Sequence, residues 1–358
     1  MTQTQPKTPR GDQFQGDHKE FQVASGDTMK AIVYTKYGSP DVLQLQEVER
    51  PTPKDHEVLV QVHAASVNAG DLHVLRADPF LIRLMGYGLL RPKNTILGAA
   101  IAGRIEAVGR NVKQFQPGDD VFGDLSESGK RGGFAEYVCA SADALVLKPS
   151  RLSFEEAAAV PVAAVTALQG LRDKGHIQAG QKVLINGASG GVGTFAVQIA
   201  KSFGAEVTAV CSTSNVDAAR SMGADHVIDY TKEDFTQNGQ HYDLIVAANG
   251  NRSISEYKRA LRPNGTYVVT GGSKKQTYQA MLLGPWISMT GSKKMGNLLK
   301  KSNQRDLAFM KELLEASKVV PVIDRRYPLR EVAEALRYVE AGHAQGKVVI
   351  TVEQNNHT

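Results

Sequence analysis

The sequence predicts an α/β protein in two parts: a mostly β domain, followed by a parallel, doubly wound sheet with helices on both faces. Three observations predict it. A glycine-rich turn joins a short apolar strand to a helix with apolar residues at helical spacing. Strands and helices then alternate up to residue 270, whereas residues 29–150 carry short strands punctuated by Pro and Gly.

The turn orders the rest. Residues 182–186, Lys-Val-Leu-Ile-Asn, read as the strand and residues 192–203 as the helix, joined by Gly187-Ala188-Ser189-Gly190-Gly191-Val192-Gly193. The dinucleotide fingerprint is G-x-G-x-x-G; here Ala188 takes the first place, and Gly190 and Gly193 the other two. With no side chain at Gly190, Gly191 and Gly193, backbone N–H groups and the positive end of the helix dipole converge on one point. That geometry holds a pyrophosphate. Ala188, Ser189, Gly190, Gly191, Val192 and Gly193 are therefore candidate cofactor-binding residues. Further strands are expected at 206–211, 226–229, 242–247 and 266–270, with a ligand across their carboxyl ends.

A chain of 358 residues, 42% of them apolar, is long enough for two cores. The net charge of +5 comes without an aromatic-interleaved basic stripe, so nucleic acid is not an expected partner. Cys139 and Cys211 are far apart and lack CxxC spacing, which points to a reducing compartment, with the cytoplasm as the default. No apolar run is long enough to span a bilayer. Residues 1–28 are polar and resemble neither a signal peptide nor an Arg-rich transit peptide, so a disordered tail is expected there.

The first domain is expected over 29–150, with strands at 30–34, 57–65, 102–108, 120–123 and 133–139. The dinucleotide domain then occupies 151–321. Residues 322–358 hold a strand, a helix over 329–340 and a last strand at 347–352, which is expected to return and complete the first domain.

The motifs in this order resemble the medium-chain dehydrogenase/reductase superfamily: Val58-Leu-Val-Gln-Val62, Ser66-Val-Asn-Ala-Gly-Asp71, Gly103-Arg-Ile-Glu-Ala-Val-Gly109, Gly118-Asp-Asp-Val121 and Gly133-Phe-Ala-Glu-Tyr137. Within it, Gly187-Ala-Ser-Gly-Gly-Val-Gly193, Gly223-Ala-Asp-His-Val-Ile-Asp-Tyr230 and Gly342-His-Ala-Gln-Gly-Lys-Val-Val-Ile350 look like the zinc-free quinone oxidoreductase, zeta-crystallin-like, branch. The likeness runs from about residue 29 to 352. It implies a GroES-like β-barrel catalytic domain beside a Rossmann domain, an active site between them, and a homodimer.

Metal-dependent relatives hold zinc with Cys and His ligands. Where they place the first cysteine this chain has Ser66-Val-Asn68, and where they place Gly-His-Glu it has Gly98-Ala-Ala-Ile101. Nothing in the remaining histidines restores tetrahedral spacing, so no metal is expected. Hydride delivery to an electron-poor carbon of an enal, enone or quinone fits best, because it needs orientation and hydrogen bonds to a developing oxyanion. The alternatives are a zinc-free alcohol dehydrogenase, a synthase-type enoyl reductase, and a non-catalytic NADPH-binding sensor or scaffold.

The resemblance places Asn68 and Asp71 at the substrate end of the cleft, as the candidate catalytic pair. Asn68 would donate to the substrate oxygen or the nicotinamide ribose, and Asp71 would fix the turn; both residues are also ordinary helix caps. Thr166 matches a threonine near the nicotinamide or phosphates, although a hydroxyl in a helix also bonds its own backbone. Tyr230 would lie by the adenine. Asn249 and Gly250 follow the fourth strand, and Gly271 and Gly272 the fifth. After the second strand, Cys211-Ser-Thr-Ser-Asn215 carries no carboxylate, so Ser212 and Thr213 are expected to receive a 2′-phosphate and NADPH is preferred over NADH. Relatives often have Arg or Lys at 214 and 215; here Arg220 and Lys232 are the nearest cationic candidates.

Two apolar stretches with basic residues remain: residues 80–90, and residues 274–305 around Met281-Leu-Leu-Gly-Pro-Trp286. A lid, a subunit contact, or contact with an anionic membrane surface would each suit them.

Overall fold

The computed structural model describes residues 28–80, 82–126 and 131–353. The expected tail lies outside the described residues, save its last position. In the first part, β1 (Thr28–Val33) pairs antiparallel with β2 (Gln44–Glu49). β3 (Glu57–Val67), β4 (Ala100–Val108), β5 (Asp120–Asp124), β6 (Tyr137–Ser141) and β7 (Leu145–Leu147) form a second, antiparallel sheet.

The second part holds β8 (Lys182–Asn186), β9 (Glu206–Cys211), β10 (His226–Asp229), β11 (Tyr242–Ala247), β12 (Leu261–Val269) and β13 (Lys294–Asn297). All six are parallel, in the order β10-β9-β8-β11-β12-β13. The short apolar runs of β8, β9, β11 and β12 are buried on both faces, as parallel strands under helices require. The order reverses between β8 and β11, which opens a crevice at their carboxyl ends.

The last strands, β14 (Ile323–Pro328) and β15 (Lys347–Thr351), return to the first part. β15 pairs antiparallel with the end of β3, while β6 pairs with its beginning and β4 runs along its other edge. β3 is therefore almost wholly buried, consistent with its Val and Ala content.

The helices are α1 (Ala69–Arg76), α2 (Phe154–Ala159), α3 (Pro161–Gln169), α4 (Gly191–Ser202), α5 (Val216–Ser221), α6 (Ile254–Ala260), α7 (Lys274–Thr290), α8 (Gln304–Glu315) and α9 (Val332–Glu340). Ser153 starts α2 by accepting the Glu156 N–H at 3.1 Å, a side-chain N-cap. The alanines of α2 and α3 let both helices lie close between the sheets. One continuous core thus runs from Ala64, Ala102 and Phe122 of the first part to Val183, Ile185 and Val246 of the second.

The fold class read from the sequence is what the chain adopts, with local differences. The strands expected at 226–229 and 242–247 have those bounds; the one expected at 133–139 lies at Tyr137–Ser141. β2, β7 and β13 are additional. β13 reads Lys-Met-Gly-Asn, with neither alternation nor a β-branched residue; it is the last strand of its sheet, paired with β12 on one side and held by Ser288 of α7, which accepts the Met295 N–H at 2.9 Å. Residues 329–331 are a 3-10 turn leading into α9.

The turn from β8 into α4 is tightly constrained. Gly187 has φ +81, in the left-handed region, and a Cβ there would come 2.5 Å from the Asn249 Cβ. A Cβ on Gly193 would come 2.0 Å from the Gly187 carbonyl oxygen and 2.8 Å from the Ala188 Cα. Gly193→Ala should therefore force α4 off its strand and cost about 1–3 kcal/mol, while Gly296→Ala, with nothing within 4 Å of its Cβ, should stay within about 0.5 kcal/mol. Thermal denaturation of the two variants beside the parent checks this.

Candidate active site

The crevice at the switch between β8 and β11 is a long cleft formed by two joined cavities of about 810 and 550 Å³. Single drug-sized pockets hold about 300–1,000 Å³, so the cleft suits a long two-part ligand with room for a second molecule. Gly187, Gly190, Asn249 and Gly272 line both halves.

The glycine turn forms the middle of the cleft. Ser189 faces one half; Gly191, Val192 and Gly193 face the other; Gly190 lies between and faces both. Ala188 is fully buried and lines neither half. This corrects its expected role: the left-handed turn falls one residue earlier, at Gly187, and Ala188 sends its N–H to the Val210 carbonyl at 3.0 Å. The first turn of α4 points its N–H groups into the space the glycines leave open.

On one side the cleft is lined by Cys211, Ser212, Ser214, Asn215, Tyr230 and Arg252. No described Asp or Glu lines this half. Tyr230, 56% exposed, stands at its mouth. Thr213 is turned away from it. Its hydroxyl donates to Asp229 at 2.5 Å, a bond that with Thr231 holds the Asp229 carboxyl down at about 2. The cations named from sequence are also engaged elsewhere, Lys232 with Asp229 at 3.4 Å and Arg220 with Asp217 at 3.2 Å. Arg252, which sequence reasoning missed, lines the cleft while paired to Asp234 and Glu256.

Asn249, Gly250, Gly271 and Gly272 shape the opposite wall. Gly250 and Gly272 have φ +133 and +106, conformations an L side chain resists. A buried chain of hydrogen bonds fixes these loops. Asn186 Nδ2 donates to the Tyr257 hydroxyl at 2.7 Å, which donates to Gln276 Oε1 at 3.0 Å, and Gln276 Nε2 donates to the Gly271 carbonyl at 3.2 Å. None of these three was found from sequence, because their partners lie on three separate elements.

At the other end of the cleft stand Asn68 and Lys347. Asp71 lies behind them, fully buried: it accepts the Asn68 N–H at 2.9 Å and pairs with the buried Arg131 at 2.6 Å. Burial pushes its carboxyl up, and Arg131 opposes that. Asp71 therefore faces the barrel interior, whereas Asn68 faces the cleft. Thr166 lines neither half; its hydroxyl donates to the Val162 carbonyl of its own helix at 2.6 Å.

Lys347 is a further cleft residue that sequence reasoning missed. Its side chain is buried, and its Nζ donates to the Val67 carbonyl at 3.0 Å and to Asn68 Oδ1 at 2.6 Å. A Cβ on Gly191 would come 3.0 Å from its Cδ and 3.9 Å from its Nζ, so the ammonium lies beneath the glycine turn. Burial pushes its pKa down to about 8. The only sequence signal was a lysine opening an otherwise apolar strand.

Two family models match the chain: one described as the alcohol dehydrogenase GroES-like domain over residues 54–150, and one described as zinc-binding dehydrogenase over residues 222–350. The 2-methylene-furan-3-one reductase of Solanum lycopersicum is 36% identical over 335 residues, covering 90% of this chain and 79% of that protein. The chain belongs to the medium-chain dehydrogenase/reductase superfamily. Another relative is the chloroplastic NADPH-dependent alkenal/one oxidoreductase of Arabidopsis thaliana, 34% identical over 332 residues, covering 90% of this chain and 79% of that protein. Among solved structures, the quinone oxidoreductase from Coxiella burnetii is 30% identical with a TM-score of 0.80, covering 91% of this chain and all of that one.

This medium-chain dehydrogenase/reductase falls in the zinc-free quinone oxidoreductase branch and is an NAD(P)H-dependent oxidoreductase. The side-chain-free cradle at Gly190 and Gly191, the start of α4 and the buried Lys347 ammonium together fit an NADP pyrophosphate. Among the described residues no three His, Cys, Asp or Glu side chains converge as metal ligands, and no helix is long and apolar enough to cross a membrane.

A cation that favours pyrophosphate makes binding depend on its proton. Lys347 is charged below its folded pKa of about 8 and neutral above it. The Lys347 contribution to NADPH affinity should be lost as pH rises through about 8, weakening binding by up to about tenfold per pH unit there. Lys347→Met should remove that dependence. Fluorescence titrations of NADPH across the pH range check both.

Proposed function

We propose that this enzyme is a metal-independent, NADPH-preferring reductase of α,β-unsaturated carbonyl compounds, that is enals and enones, or of quinones. The observation that carries the reading is the substrate end of the cleft, where an amide donor, Asn68, stands with a buried ammonium, Lys347, behind it. An amide aimed at the place where a carbonyl oxygen gains charge stabilises an enolate or hydroquinone anion without a metal. Where metal-dependent relatives carry ligands, Ser66, Asn68 and Ala99 offer none with the required donor set.

When bound, NADPH supplies a hydride. The chain's own residues do the rest. Backbone N–H groups of Gly191 and Val192, in the first turn of α4, with Lys347 hold the pyrophosphate, and the loops at Asn249 and Gly271–Gly272 wall the nicotinamide end. Asn68 orients the acceptor oxygen, Asp71 with Arg131 keeps the Asn68 turn in place, and water returns the proton. Two relatives, one named a 2-methylene-furan-3-one reductase and one an NADPH-dependent alkenal/one oxidoreductase, support the substrate class.

Preference for NADPH rests on Ser212, Ser214 and Asn215, hydrogen-bond donors in a half-cleft whose described lining carries no carboxylate. NADPH oxidation over small enals, enones and quinones, with a chelator present, should proceed; NADH should bind about tenfold more weakly, about 1.4 kcal/mol. Activity confined to alcohols and abolished by the chelator would sink the proposal.

We also infer a homodimer in a reducing compartment. Cys139 and Cys211 are unbridged thiols. α7 exposes Leu282 (70%), Trp286 (67%) and Met289 (85%) beside the outer strand β13, a patch that suits a second copy of the chain. Light scattering should give twice the mass of one chain, and Trp286→Lys should shift it toward one.

A further inference from the structure

The contact between Lys347 and Asn68 does more than join β15 to the start of α1. An ammonium has only hydrogens to offer, so the end of a carboxamide that faces it must be the oxygen. Lys347 Nζ meets Asn68 Oδ1 at 2.6 Å, and its second bond goes to the Val67 carbonyl at 3.0 Å. The Asn68 amide nitrogen is thereby turned the other way. One of its hydrogens goes to the Ser66 carbonyl at 2.9 Å, and the second has no partner among the described residues. Asn68 is 8% exposed, and the surface it keeps lines the cleft beside Ala69, Leu72 and Thr270.

We propose that Lys347 is a positioning residue that locks the Asn68 carboxamide with its oxygen inward, so that Asn68 presents to the acceptor oxygen an N–H donor and never a carbonyl. Turned over, the amide would set its NH₂ against the ammonium, two donors face to face in a buried site, and would offer the substrate oxygen a repelling oxygen. The lock needs a buried cation with no acceptor at this point, which is why a lysine opens the apolar strand β15 here. Behind it the charged groups Asp71 and Arg131 are paired with each other, so neither competes for the amide. The inference rests on the reductase reading above and deepens it by assigning the residue that sets the donor's polarity.

A double-mutant cycle tests it. The parent, Lys347→Met, Asn68→Ala and the double variant are compared for kcat with the best enone of the screen, for NADPH Kd by fluorescence, and for melting temperature. Asn68→Ala is expected to lower kcat by about a hundredfold, the scale of losing one oxyanion donor. Lys347→Met should lower kcat about as far in the parent but less than about twofold in the Asn68→Ala background. Its effect on NADPH Kd, which comes from the pyrophosphate, should be the same in both. Lys347→Arg, another donor-only cation, should restore most of kcat.

If the kcat losses multiply, Lys347 acts on its own and the positioning role is overturned. Should Lys347→Met fail to fold, Lys347→Gln takes its place in the cycle, because an amide that both donates and accepts no longer dictates its neighbour. A parent that binds NADPH yet reduces no enone or quinone overturns the reductase reading and this inference with it. A parent that turns over with multiplying losses overturns this inference alone.

Discussion

Everything at the site depends on how closely α4 starts against the strand that feeds it. The Gly193 position lies so near the Gly187 carbonyl that a single carbon atom does not fit between them. That contact sets the axis of α4 and aims its free N–H groups across the ends of β8 and β11. A side chain at Gly187 would meet Asn249, so the same turn also fixes the loop after β11. Helix dipole, open backbone donors and cleft wall thus follow from one steric constraint.

The second dependence is electrostatic. Lys347 enters from the barrel side on β15 and reaches beneath a turn that belongs to the parallel sheet. A buried ammonium is costly unless its hydrogens are accepted, and here a carbonyl and an amide oxygen take two of them. Further from the cleft, Lys300, which follows β13, pairs with the buried Asp124 of β5, and Ser302 donates to the same carboxylate at 2.6 Å. Ionic contacts join the two parts away from the cleft through Lys300 and Asp124 and at the cleft through Lys274 and Asp78, while the alanine-rich α2 and α3 fill the space between. The relative placement of Asn68 and the glycine turn is an outcome of packing and charge together.

The differences between expectation and structure have particular causes. Thr166 and Thr213 both carry hydroxyls that a nearby acceptor takes first, the Val162 carbonyl in one case and Asp229 in the other. A linear sequence does not say which acceptor lies within 3 Å. Ala188 was placed at the head of the fingerprint by counting back from Gly190, yet only Gly187 has the left-handed backbone the turn requires. Strand β13 was unreadable because an edge strand with a single buried side chain carries no period.

The sequence by itself determined the fold class, the glycine cradle, and the strand ends that bring Ser212, Tyr230, Asn249 and Gly271 to one crevice. These are properties of local period, backbone freedom and residue type, and each is written in consecutive residues. Tertiary structure alone decided which polar atoms meet. Lys347 and Asn68 are 279 positions apart, and the Asn186, Tyr257 and Gln276 chain spans three elements. Hydrogen bonds act over about 3 Å and carry no trace in sequence spacing, so the donor facing the substrate appears only once the chain has folded back on itself.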